Sequence, residues 1–278
     1  MLRRILLSTV LALALAPAAT ASVDTSTSAN WSGYVAHRAG VRFRQVRAAW
    51  TQPTATCTAG RPAYSATWVG LGGFHQSSNS LEQIGTEVDC NDRGEVVSSA
   101  WYELVPAPPG HIRLAIKPGD AIVATVRVIG HRVTLNLTDL TRHRSFQRTV
   151  TERAVDVTSA DWIVEAPSEC FGGSGCRTLP LADFGSVQFT TATAQTVSGR
   201  TGSISSRMWN RSRITLTPDF RSFIAFGSEG QSTPSPLTDA GASFRVGYSA
   251  ATPLPRAGVR PAAAQLGADR RVSAPEAP

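Results

Sequence analysis

The chain has 278 residues, of which 42% are hydrophobic, and it carries a formal charge of +7. That apolar content is enough for a sizeable core and excludes a chain that is disordered throughout. The arginines are scattered among strand-like segments and tails with no nucleic-acid motif beside them, so the charge is read as a surface property and not as a DNA- or RNA-binding signature.

Met1 to Ala21 has the three parts of a secretory signal peptide: Arg3-Arg4, an apolar run from Ile5 to Ala16, and small residues up to Ala21. The run is too short to span a bilayer and no later stretch is longer, so the expectation is an exported, extracellular chain with no membrane attachment after cleavage. Period-two alternation predicts strands at Ala121 to Val128, Arg132 to Leu137, Ser186 to Thr191, Arg213 to Thr217 and Ser243 to Tyr248. Turn signals lie between strands at Asn91 to Gly94, Lys117 to Asp120 and Ile129 to His131. No segment has a helical period. Many short strands without β-helix-β alternation indicate an all-β fold, a two-sheet antiparallel β-sandwich of the concanavalin-like jelly-roll type over residues 22–250. From Ala251 to Pro278 the Ala/Pro/Arg-rich sequence reads as a disordered tail.

Four cysteines suit an oxidising compartment. Cys170 and Cys176 bracket a short glycine-rich loop and are expected to pair, leaving Cys57 for Cys90, although the sequence permits three pairings. The spacing of cysteines and histidines matches no zinc motif, and neither a metal nor any other cofactor is expected.

Three segments carry candidate chemistry. In Trp162-Ile163-Val164-Glu165, alternation puts Glu165 on the face of Ile163, where partial desolvation would raise its pKa and suit it to proton transfer. Leu81, Gln83 and Gly85 share one strand face, as do Trp101 and Glu103. Taken singly, each has an ordinary alternative: a rim glutamate paired with an arginine, a polar surface glutamine, a core tryptophan beside a solvated acid.

Together with Asn30-Trp31-Ser32-Gly33-Tyr34, Trp68-Val69-Gly70 and Ala182-Asp183-Phe184-Gly185-Ser186-Val187, these segments resemble, in order, the glutamic peptidase (eqolisin) family, from about Asn30 to Tyr248. The resemblance implies a metal-independent endopeptidase acting on polypeptides at acidic pH, as a monomer. It makes Glu165 and Gln83 the catalytic pair, with Trp31, Trp68 and Glu103 lining or supporting the cleft. Glu165 as carboxylate would take a proton from a water that Gln83 holds, and Gln83 would stabilise the oxyanion. Two positions depart from the fungal members. Gly72 stands where they have an aspartate and Val105 where they have a tyrosine, and Glu87 and Asp89 both compete for a further acid position.

Rival readings are weaker. Glu87-x-Asp89-x-x-Asp92 approaches a β-sandwich glycosidase motif, but Cys90 and the turn after it interrupt the strand that must carry all three acids. A non-catalytic glycan- or peptide-binding sandwich would not require both Gln83 and Glu165. The five histidines, His37, His75, His111, His131 and His143, have no nucleophile elbow and are read as surface residues.

Overall fold

The computed structural model of the protein describes residues 23–170, 176–217 and 230–250. The segments expected from the sequence to be a signal peptide and a disordered tail lie outside the described residues. The first half of the chain forms strands β1 (Val23–Ser28), β2 (Trp31–His37), β3 (Phe43–Thr51), β4 (Ala66–Gly72), β5 (Leu81–Cys90), β6 (Val96–Val105), β7 (Gly110–Ile112), β8 (Ala121–Ile129) and β9 (Arg132–Asp139). The second half forms β10 (Arg144–Thr151), β11 (Ser159–Glu165), β12 (Ser168–Cys170), β13 (Cys176–Thr178), β14 (Ser186–Thr196), β15 (Thr201–Ser203), β16 (Asn210–Leu216), β17 (Gly230–Pro234) and β18 (Phe244–Ala250). The one described helical piece is the 3-10 turn Asp239–Gly241.

Apart from the β12–β13 hairpin, the strands join one sheet in the order β10-β9-β8-β3-β14-β18-β17-β16-β2-β11-β4-β5-β6-β7. Every pairing is antiparallel except that of β1, which runs parallel to β16. The predicted strands are present, with β14 extending to Thr196 instead of ending at Thr191. Thr191 takes φ 51° and the register with β3 shifts between Thr190 and Thr193, so a bulge inserts one residue and resets the alternation. The predicted turns form as chemistry dictates. Asn91 Oδ1 accepts from the N–H groups of Arg93 (3.0 Å) and Glu95 (2.9 Å), and Gly94 takes the left-handed φ of 75° that a side chain would resist.

Two apolar clusters form. The larger fills the interior with Phe43, Trp50, Trp162, Phe189, Trp209 and Phe244 among its members. The smaller lies on the opposite face of β2, β11, β4, β5 and β6 and comprises Val35, Ala66, Trp68, Leu81, Trp101, Ile163 and Ile214. A sheet covered on both faces loses its polar alternation, and all seven residues of β4 are buried.

Cys57 is bonded to Cys90 across a sequence separation of 33. The second expected pair is aligned by the backbone, where Cys170 and Cys176 are register partners. By loop-closure entropy the Cys57–Cys90 bridge contributes about 3–4 kcal/mol. Cys57→Ser with Cys90→Ser should therefore lower the melting temperature by several degrees without changing far-UV circular dichroism.

Candidate active site

The site is built from register. Glu165 on β11 sits opposite Trp31 on β2 and Ala66 on β4. Gln83 on β5 sits opposite Gly70 on β4 and Glu103 on β6, and Gly85 opposite Trp68 and Trp101. Directly opposed residues share a face, so Trp31, Glu165, Trp68, Gln83, Trp101 and Glu103 all lie on the side of the smaller apolar cluster. The alternation read from the sequence put Glu165 with Ile163, Gln83 with Leu81 and Gly85, and Trp101 with Glu103, and the structure agrees at each.

Glu165 is half-buried and held on both carboxyl oxygens. Asn30 Nδ2 donates to Oε1 at 3.0 Å, and the Trp68 indole N–H donates to Oε2 at 2.8 Å. Trp31 packs edge-on against Trp68, with ring centroids 5.0 Å apart. Burial pushes the Glu165 carboxyl up to about 7, with the negative charge of Glu103 adding to the rise and hydrogen bonds from Trp68, Trp31 and Asn30 opposing it. Glu103 therefore lies within electrostatic reach of Glu165.

Gln83 is buried, and its Nε2 donates to Glu103 Oε2 at 2.6 Å. A carboxylate offers only acceptors, so the amide must turn its NH₂ edge to Glu103. Its own Oε1 is left without a partner. Burial raises the Glu103 pKa, and the bond from Gln83 partly offsets that.

Two glycines make the arrangement possible. A Cβ on Gly85 would fall 2.2 Å from the Thr67 carbonyl oxygen and 2.6 Å from Trp68 Cβ. One on Gly70 would fall 2.9 Å from the Trp68 ring. The indole thus lies over bare backbone to reach Glu165. Gly85→Ala should displace Trp68 from Glu165 and lower both melting temperature and turnover by more than a typical surface substitution.

Trp31 is half-exposed on this face, whereas Trp68 is fully buried within it. Asn30, read at first only as part of a motif, emerges as a direct ligand of the acid; its place beside Trp31 was the available signal. The departure at Gly72 also has a physical basis. A Cβ there would lie 2.5 Å from Asp156 Cβ, at a backbone φ of +84°. Asp156 occupies that space and accepts hydrogen bonds from the Gly73 N–H, the Ser78 hydroxyl, and the Thr158 N–H and hydroxyl. Val105 packs beside the smaller cluster.

Glu87 lies on the same strand face as Gln83 and accepts a 2.7 Å bond from Ser99, while Asp89 caps the Ser65 N–H. β5 ends at Cys90 and Asp92 falls in the turn, as the argument against a glycosidase required. The histidine reading needs correction. His37 is half-buried, 2.9 Å from the Ser212 hydroxyl, with its ring against Phe74 at 4.8 Å, because β2 carries it on the same face as Trp31. Among the described residues no three of His, Cys, Asp or Glu converge as a metal site requires.

The described residues thus form an all-β chain with one face that bears Glu165 and Gln83 and is floored by tryptophans. The Peptidase A4 family model matches residues 29–217, and the chain belongs to that family. It is 31% identical over 135 residues to Aspergillopepsin-2 of Aspergillus niger, a match covering 47% of this chain and 45% of that protein, so it spans about half the length of this relative. Among solved structures, the fold is similar to Scytalido-glutamic peptidase with a peptide-based transition state analog, at TM-score 0.64 and 22% identity over 80% of this chain and 98% of the other. It is also similar to aspergilloglutamic peptidase from Aspergillus niger, at TM-score 0.54 and 27% identity over 67% and 99%.

Proposed function

We propose that the protein is an exported, monomeric glutamic endopeptidase that hydrolyses polypeptides with Glu165 and Gln83 and without a metal, and that its curled sheet forms the two layers of a jelly-roll sandwich. Family membership supports the reaction class. The observation that carries the residue assignment is the pairing of a doubly held carboxyl on Glu165 with an unpartnered amide oxygen on Gln83, both on the same sheet face.

The raised pKa revises the order of proton transfers. With a value of about 7, Glu165 rests as the neutral acid at acidic pH and starts as donor, not as base. Its proton goes to the scissile carbonyl oxygen as water, oriented by Gln83 Oε1, attacks the carbonyl carbon. The Glu165 carboxylate left behind, steadied by the Trp68 and Asn30 N–H groups, takes a proton from the attacking water and passes it to the amide nitrogen. The C–N bond breaks, and the new carboxylic acid returns a proton to Glu165. While ionised, Glu103 holds the Gln83 amide in the orientation that leaves Oε1 free, so the role assigned to Gln83 shifts from the oxyanion to the water.

Digestion of denatured casein at acidic pH tests the pair. Gln83→Ala should lower kcat by roughly 10²–10³-fold with KM little changed, since it orients the nucleophile. Undiminished hydrolysis by folded Gln83→Ala and Glu165→Gln proteins would refute the assignment, and peptide binding without cleavage by the wild type would establish a binding module instead.

A further inference from the structure

Four of the arginines come together in one place. The turn from β2 into β3, the hairpin joining β14 to β15, and the segment Ser206 to Met208 enclose a groove of about 850 Å³. Arg38, Arg42, Arg200 and Arg207 line it, with the hydroxyls of Ser198 and Ser206 among them and no Asp or Glu in the lining. All four arginines are exposed, and none belongs to an ion pair among the described residues. The walls are tied together: the Val197 N–H donates to the Arg42 carbonyl at 2.9 Å, and Arg38 reaches the carbonyls of Met208 and Arg207 at 3.4 and 3.5 Å.

Four unneutralised guanidinium groups around one groove repel one another and are relieved by an anion, and their planar forks match phosphate oxygens two at a time. The rest of the lining narrows the choice. It has no aromatic side chain on which a base could stack, and no amphipathic helix is present there to lie in a membrane surface. We propose that this groove binds a linear polymer of phosphate groups that carries no bases. The groove adjoins the His37 end of β2, whereas Glu165 lies opposite Trp31 at the other end, roughly 20 Å away at strand rise. An occupied groove therefore leaves the cleft open, and the inference does not depend on the peptidase reading.

Inorganic polyphosphate is the probe, with the full chain titrated over a range of salt concentrations and binding read by calorimetry. The wild type should bind with an affinity that falls linearly on a log–log plot against salt. Arg200→Ser with Arg207→Ser should weaken binding about tenfold or more and lower the salt slope by roughly 1 to 2. Arg113→Ser with Arg153→Ser removes the same charge elsewhere on the exposed surface and should stay within about twofold of wild type. Casein hydrolysis should be unchanged in both. Equal weakening by the two double variants would overturn the proposal by showing a diffuse charge effect. So would tighter binding to single-stranded DNA or to phosphatidylglycerol vesicles than to polyphosphate, or no binding at about 100 mM salt.

Discussion

Casein hydrolysis is expected to be fast in acid and to fall as pH rises through about 7, following the Glu165 carboxyl. The sign follows from the state required. A donor must hold its proton, so kcat/KM is full below the free-enzyme pKa and declines tenfold per unit above it. Glu165→Gln removes the proton while keeping the shape, and should cost at least about 10³-fold at pH 5. The Trp68 indole gives a sharper test because its N–H opposes the rise in the Glu165 pKa. Trp68→Phe takes away a charge-assisted donor, so the declining limb should move to higher pH by roughly one unit even as the rate drops. An activity that instead climbs through pH 7 would mean that Glu165 works as the resting carboxylate, and the transfer order proposed for it would have to be reversed.

What could be read in advance depended on how each residue announces itself. Strands β8 and β9 have one wet face, so period two exposes them residue by residue. Strand β4 is buried on both faces, and its sequence Ala66-Thr67-Trp68-Val69-Gly70 shows no alternation at all. The ordered motifs singled out Trp68-Val69-Gly70, but the strand's place beside β11 required the register. The pairing of Glu103 with Gln83 was implicit in the face-sharing of each segment but required the register between β5 and β6, a non-local fact. The placement of Asp156 in the space above Gly72 was illegible, because no spacing in the chain links a glycine to an acid 84 residues later. The same holds for His37, whose burial comes from Phe74 and Ser212 packing against it from separate elements.

The same burial that tunes Glu165 should make the whole fold acid-stable and alkali-sensitive. Glu82 points into the interior between its register partners Leu71 and Leu104, and burial there drives its pKa to about 8 from 4.5. Asp89 is pushed by burial and by Glu87 to about 7 from 3.8, and burial holds Asp161 well above its ordinary value. For each, the native state binds a proton more tightly than the unfolded chain. Stability is intact below the unfolded pKa and is lost as pH climbs towards the folded one, at about 1.4 kcal/mol per unit per group. Over the span from 4.5 to about 8 Glu82 alone accounts for roughly 5 kcal/mol. At the acid end Asp120 and Asp156 work the other way. Burial would raise both, but Arg142 and Lys117 hold Asp120 below its usual value, and Ser78, Thr158 and Gly73 do the same for Asp156. The melting temperature should therefore peak near pH 4–5 and be markedly lower at pH 7.5. Glu82→Gln keeps the acceptor oxygen and removes the ionisation, so it should raise the melting temperature at pH 7.5 by several degrees and leave it nearly unchanged at pH 4.5. A shift of equal size at both pH values would assign the effect to packing and not to the buried charge.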